Sequence, residues 1–130
     1  MREQSRESRV PLALATYRAD NCVSIYLPVD TGEEGQPRNL RRLRNALTRA
    51  HDLLQQRPCA VGEATSILAT AWTLHDAATL WAEPDRGLAL FVAADRLLAY
   101  RLPRTPMHHV VVDDHFHLEE YQHVHERAGR

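Results

Sequence analysis

The chain of 130 residues contains no lysine, and all sixteen of its basic residues are arginine. A genome rich in arginine codons would produce that bias by itself. Its consequence is physical: every basic contact is a planar guanidinium fork suited to phosphate or carboxylate. Cysteine is nearly absent. Cys22 and Cys59 are too few for a disulfide scaffold, and neither belongs to a Cys-x-x-Cys pair. No run approaches the ~20 apolar residues that a membrane-spanning helix needs. The apolar stretch Val10 to Tyr17 is too short for a signal core and is closed by Arg18 and Asp20. There is no internal repeat and no low-complexity tract. These absences point to a soluble, cytoplasmic domain without membrane contact.

What is present is ordinary in amount and uneven in place. Hydrophobic residues at 44% and charged residues at 25% match common soluble usage, and the length suits one domain with a single core. The net charge is −1, but residues 38–57 hold six arginines against one acid, Asp52, a balance of +5 that leaves −6 for the rest. Such segregation implies an oriented basic surface.

Residues 1–9 are polar, charged with both signs and aperiodic, and are expected to be disordered. Pro11 suits the first turn of a short helix reaching Tyr17. Asp20-Asn21 signals a turn, and Cys22-Val23-Ser24-Ile25-Tyr26-Leu27, closed by Pro28, reads as a strand. Asp30 to Pro37, with Gly32 and Gly35, reads as a loop. From Arg38 the period changes. Leu40, Leu43, Leu47, Ala50 and Leu54 recur every three or four residues, predicting a helix that Arg57-Pro58 ends. Ala64, Ile67, Leu68, Ala71, Trp72 and His75 carry the same period along a second helix. After the turn cluster Glu83-Pro84-Asp85-Arg86-Gly87, Leu88 to Ala93 is continuously apolar, as in a strand buried on both faces. Ala94-Asp95-Arg96 folds the chain back so that Leu97 to Leu102 pairs antiparallel with it, and His109 to Val112 adds another strand.

The expected fold is an α/β two-layer sandwich: a four-stranded sheet, mixed but mostly antiparallel, with helices at 38–57 and 63–80 mainly on one face. The domain should span 10–118, followed by a C-terminal tail at 119–130. Leu40, Leu43, Leu47, Leu54, Ile67, Leu68, Trp72, Leu88, Leu90, Phe91, Val110 and Val112 are the predicted core.

No catalytic motif survives inspection. Ser24 and Cys22 lie inside a strand, without the strand-turn-helix elbow that exposes a nucleophile. Asp113-Asp114 and Glu119-Glu120 are adjacent carboxylates that do not converge on one substrate. Gly32 to Gly35 encloses two glutamates, which would repel a phosphate. Six of the eight histidines crowd one end: His108, His109, His115, His117, His123 and His125. On a strand, His115 and His117 share a face and could share a metal, but no third ligand follows at a fixed short spacing. In a helix over 118–127, His123 and His125 would point roughly 200° apart. The sequence therefore assigns no catalytic residue, metal or cofactor.

The order of tracts is more informative than any of them singly. A strand ending Leu27-Pro28 precedes the basic helix. Trp81 precedes Gly87-Leu88-Ala89-Leu90-Phe91, Tyr100-Arg101-Leu102-Pro103 follows, and Val110-Val111-Val112-Asp113-Asp114-His115-Phe116-His117-Leu118 closes the set. Over about residues 20–118 the chain resembles the amino-terminal domain of the bacterial archaeo-eukaryotic release factor family, relatives of the class-one release factors and Pelota. The resemblance implies a setting in translation termination, ribosome rescue or stalling. Release factors of this group hydrolyse peptidyl-tRNA through a Gly-Gly-Gln loop in a separate middle domain. The nearest string here, Glu34-Gly35-Gln36, lacks the first glycine and reads as an ordinary loop. The family's middle domain usually follows the Phe-His-Leu segment, where this chain runs Glu119 to Arg127. A standalone module, a natural truncation or a fragment of a longer release-factor-like protein is expected, with the middle domain or a partner chain elsewhere in the latter cases. The codon-reading strings Asn-Ile-Lys-Ser and Tyr-x-Cys-x-x-x-Phe are absent, so stop-codon decoding is not expected.

The basic helix carries the remaining candidate chemistry. With its leucines inward, Arg38, Arg42, Asn45 and Arg49 should form an outward stripe flanked by Arg41 and Arg44. Guanidinium groups at helical spacing can span neighbouring phosphates in a salt-sensitive contact. A charged outer face is also the commonest fate of an amphipathic helix. Scarce aromatics on this helix favour backbone contact over base reading. The expected RNA-binding residues are Arg38, Arg41, Arg42, Arg44 and Arg49, with the ribosome or structured RNA as partner. Two alternatives stay open: a protein-interaction or oligomerisation module pairing at strand edges, and a small metal-dependent enzyme using the C-terminal histidines.

Overall fold

The β-branched and aromatic run at Cys22–Leu27 forms the middle of an eleven-residue strand, β1 (Arg18–Pro28), around which the sheet is built. In the computed structural model, which describes residues 11–76 and 86–128, β1 lies between β2 (Gly87–Ala93) and β4 (His109–His115). The fourth strand, β3 (Arg96–Leu102), is the edge beyond β2. Residues 1–9, any extension of the second helix past 76, Trp81 and residues 83–85 lie outside the described residues.

Every neighbouring pair is antiparallel, so the sheet is not mixed. The connection between β1 and β2 explains it. Two helices intervene, α2 (Gln36–Gln55) and α3 (Glu63–Trp72), with a 3₁₀ turn at Thr73–Asp76. One helix takes the chain back along the sheet and the second returns it, so β2 starts where β1 ended. A single crossover helix would have made the pair parallel.

Alternation along the two central strands sorts side chains onto two apolar faces. Val23, Ile25 and Leu27 of β1 and Leu88, Leu90 and Val92 of β2 meet Leu43, Leu47 and Leu54 of α2 and Ile67 and Leu68 of α3. Each such side chain is worth about 1.5–3 kcal/mol of burial. Leu40, Val110 and Val112 flank this core and are partly buried. The opposite face is covered as well. There Cys22, Tyr26, Ala89, Phe91 and Ala93 pack with Leu14 of the short helix α1 (Leu12–Ala15), with Phe116, and with Tyr121 of α4 (Glu119–Ala128). Phe91 sits edge-on to Tyr26, Phe116 and Tyr121 at 5.9, 5.5 and 6.3 Å.

Two expectations change here. The segment from 119 is a helix whose Tyr121 closes the second apolar face, not a tail outside the domain. Trp72 is 39% exposed and is not core. Ala64, Ile67, Leu68 and Ala71 hold the inward positions, and Trp72, about 100° round the helix from Ala71, falls at the edge of that stripe.

Two glycines set the helix starts. A Cβ on Gly35 would stand 2.6 Å from Asp30 Cβ and 2.8 Å from its carbonyl oxygen, so only glycine lets α2 begin this close to the loop. The string Glu34-Gly35-Gln36 is thus the entry to α2, with Pro37 in the first turn. Gly62 has φ +82° before α3, where Glu63 Oε1 accepts the Ala60 N–H at 2.9 Å. Among the described residues, no helix is long and apolar enough to cross a membrane.

Candidate functional site

α2 lays Asn39, Leu43, Ala46, Leu47, Ala50 and Leu54 on the sheet, which turns its arginines outward. They do not behave alike. Arg38 Nε donates to Asp30 Oδ2 at 2.6 Å, and Arg42 Nη1 lies 3.3 Å from Asp30 Oδ1 while also donating to the Pro28 carbonyl at 3.2 Å. These bonds, Arg38 first, hold the Asp30 carboxyl below the usual carboxylate range. Asp30 is itself anchored by Asn39, whose side chain accepts the Asp30 N–H at 2.8 Å and donates to its carbonyl at 2.9 Å. Arg57, at the end of the basic tract, is structural. It donates to Asn21 Oδ1 at 2.8 Å, the Asp20 carbonyl at 2.7 Å and the Val112 carbonyl at 3.5 Å, tying α2 to β1 and β4.

The five predicted residues therefore divide. Arg41, Arg44 and Arg49 are exposed, and no hydrogen bond or ion pair holds them to the described residues. Arg38 and Arg42 share the carboxylate of Asp30, and Arg42 is half-buried. The sequence pattern counts arginines; it does not show that the loop before the helix returns an acid to two of them.

A second group of polar side chains gathers at the far end of β4. Alternation puts Asp113 and His115 on one side, facing away from α2, since Asp113 pairs with Cys22 of the opposite apolar face. His117, just past the strand, turns its ring to the same place, with Nε2 2.9 Å from Asp113 Oδ2. His115 Nδ1 lies 2.7 Å from Asp114 Oδ1, and the two imidazoles stack with centroids 4.9 Å apart. The hydrogen bond to His117 is the main reason the Asp113 carboxyl lies below its usual range. The sequence finds the histidine pair but no third partner at a fixed spacing. Asp113 is that partner, legible as Asp-x-His-x-His once the strand is carried two residues past Asp113.

The His117 backbone is held from the core. Its N–H donates to Ser24 Oγ at 2.9 Å, and its carbonyl accepts from Tyr26 Oη at 2.6 Å. Ser24 is thus a buried anchor and not a nucleophile. Cys22 is fully buried, and desolvation pushes its thiol up, away from reactivity. An open groove of about 600 Å³ lies apart from both groups, lined by Arg86, Arg104, Met107, Glu120 and His123 among others. Its Glu120 already accepts the Met107 N–H at 3.1 Å.

No family model matches the chain, and no curated protein matches it.

Proposed function

We propose that this protein is a non-catalytic module of the cytoplasm that contacts RNA backbone, on the ribosome or on a structured RNA, through the outer face of α2. The observation that carries this is the trio Arg41, Arg44 and Arg49: three exposed guanidinium groups on a helix fixed by its buried leucines, with no acid of the described residues paired to them. A helix rises ~1.5 Å per residue, so the trio extends over about 12 Å, enough to meet more than one phosphate. Arginine's planar fork suits phosphate bidentately. The release-factor resemblance supports translation as the setting. The buried Ser24 and Cys22 and the absence of a Gly-Gly-Gln string support a role in binding rather than hydrolysis.

The test is fluorescence anisotropy with a labelled RNA hairpin, titrated across a series of salt concentrations. Replacing Arg41, Arg44 and Arg49 together with Gln should weaken binding and flatten the slope of log affinity against log salt by about 2 to 3. Ribosome co-sedimentation should fall in parallel. An unchanged affinity and slope in the triple variant would overturn the reading in favour of a protein-interaction module, because apolar contacts release no counterions.

A further inference from the structure

We propose that Asp113, His115 and His117 form a binding site for a divalent transition-metal ion of the zinc class. One donor atom from each residue lies within 4.8 Å of the other two. Asp113 Oδ2 and His117 Nε2, 2.9 Å apart, already stand near the ~3.4 Å separation of two ligands on a tetrahedral ion with ~2.1 Å bonds. An ion bound at Nε2 replaces the proton on that line, which in the neutral ring passes to Nδ1.

The surroundings are arranged as they are behind metal-binding histidines. His115 directs Nδ1 to Asp114 Oδ1 at 2.7 Å, which leaves Nε2 as the ring's free nitrogen. A carboxylate behind an imidazole fixes its tautomer and orientation and raises its basicity toward a metal. Asp113 is steadied in the same way, its Oδ1 accepting the Asp114 N–H at 2.8 Å. His117 is held by Ser24 and Tyr26 through its backbone, so its ring costs little entropy to present. The imidazoles lie nearly parallel, 13° between planes, with centroids 4.9 Å apart. Arg18, the β1 residue opposite His115, directs its guanidinium to the Ala15 and Tyr17 carbonyls instead.

The donor set selects the ligand class. Two imidazoles and one carboxylate suit zinc and its first-row neighbours, whereas calcium and magnesium require oxygen ligands. The side chains of Asp113, His115 and His117 are 40%, 42% and 28% exposed, so a hydrated ion reaches them and keeps solvent-side positions for water or a small ligand. The site is on the opposite side of the sheet from α2 and stands or falls independently of RNA contact.

The experiment is isothermal titration of the chelator-stripped full chain with zinc chloride, joined to the visible spectrum of the cobalt-loaded protein. One equivalent of zinc should bind, and cobalt should give ligand-field bands in the visible. Asp113→Asn, which keeps the side chain's shape, and His115→Ala should each weaken binding by on the order of 100-fold. Asp114→Asn, which removes only the outer partner, should cost roughly 10- to 100-fold. His108→Ala with His123→Ala should change nothing. Absence of zinc binding would overturn the proposal. So would binding that survives Asp113→Asn in a protein with native circular dichroism, or binding lost with His108 and His123, which would reveal only adventitious surface histidines.

Discussion

The hydroxyl of Ser24, in the middle of the central strand, accepts the backbone N–H of His117 at 2.9 Å, 93 residues later in the chain. This one bond fastens the β4–α4 junction to the strand that organises the fold. Tyr26, two residues on, fastens the other side of the same residue through the His117 carbonyl. Ser24→Ala leaves the amide donor without its partner in a partly buried setting, a loss of about 1–3 kcal/mol. Urea denaturation should report it. Tyr26→Phe should cost about 1–3 kcal/mol, since its hydroxyl serves both the His117 carbonyl and the Tyr121 backbone. The two losses should be non-additive, because they act on the two backbone groups of one residue. A Ser24→Ala protein as stable as the parent would mean the junction is held otherwise.

Gly35 is required by proximity, not by a left-handed backbone. Its φ is −79°, so alanine meets no torsional objection there. The obstacle is the Asp30 backbone, 2.8 Å from where the new Cβ would sit. Because backbone cannot rotate aside as a flexible side chain can, Gly35→Ala should destabilise by about 1–3 kcal/mol. Gly32→Ala makes a useful contrast, with open space around it but φ +84°. Its cost should come from conformation alone, on the order of 1 kcal/mol. If Gly35→Ala proves neutral in denaturant melts, the loop before α2 is softer than its hydrogen bonds with Asn39 imply.

Acid should weaken the fold through carboxylates held below their usual range. Asp95 accepts the Tyr17 hydroxyl at 2.7 Å and Arg96 Nε at 3.3 Å, and these bonds, Tyr17 first, depress its pKa. Asp30 is depressed by Arg38 and Arg42. In each case the unfolded chain binds the proton more tightly than the folded one. Stability from these groups is therefore fully present above the ordinary carboxylate value near 3.9 and is lost as pH falls through the lower folded value. Asp95→Asn should reduce the urea midpoint near neutral pH and make no difference at about pH 2. A difference of constant size across that range would show that Asp95 acts by packing and not by charge.

The elements that repeat locally were the legible ones. The helical stripe Leu43-Leu47-Leu54 and the alternation on β1 and β2 depend only on spacing, and both core faces follow from them. The strictly antiparallel order was not read from the sequence, which led to a mixed sheet; it shows once the return made by two helices between β1 and β2 is traced. Less legible were contacts made at long range. Nothing in the spacing of Tyr121 says that it closes the second apolar face, because a single aromatic in a polar helix carries no period. Arg57 reads like its neighbours in sequence, yet it alone among the six arginines of the tract bonds to Asn21, Asp20 and Val112. Asp113 looks like half of a solvated acidic pair until the β4 register turns it toward His115 and His117.

The pairing of Asp30 with α2 gives the sharpest test of how much of that helix meets RNA. The Asp30 carboxylate neutralises part of the charge of Arg38 and Arg42, while the Asp30 backbone is held separately by Asn39. Asp30→Asn should then leave the loop in place, take the carboxylate charge away from two guanidinium groups, of which Arg42 keeps its bond to the Pro28 carbonyl, and move the formal net charge from −1 to 0. RNA affinity should rise several-fold at low salt. Each arginine that joins the contact should steepen the slope of log affinity against log salt by about 0.7 to 0.9. Binding that is lost on replacing Arg41, Arg44 and Arg49 but indifferent to Asp30→Asn would confine the contact to the outward trio. Indifference to both changes would remove α2 from the RNA surface altogether. The direction of the Asp30 effect is informative because the rest of the chain carries −6 against +5 on residues 38–57. With so little excess charge overall, local neutralisation within one helix turn decides whether a polyanion is attracted or repelled.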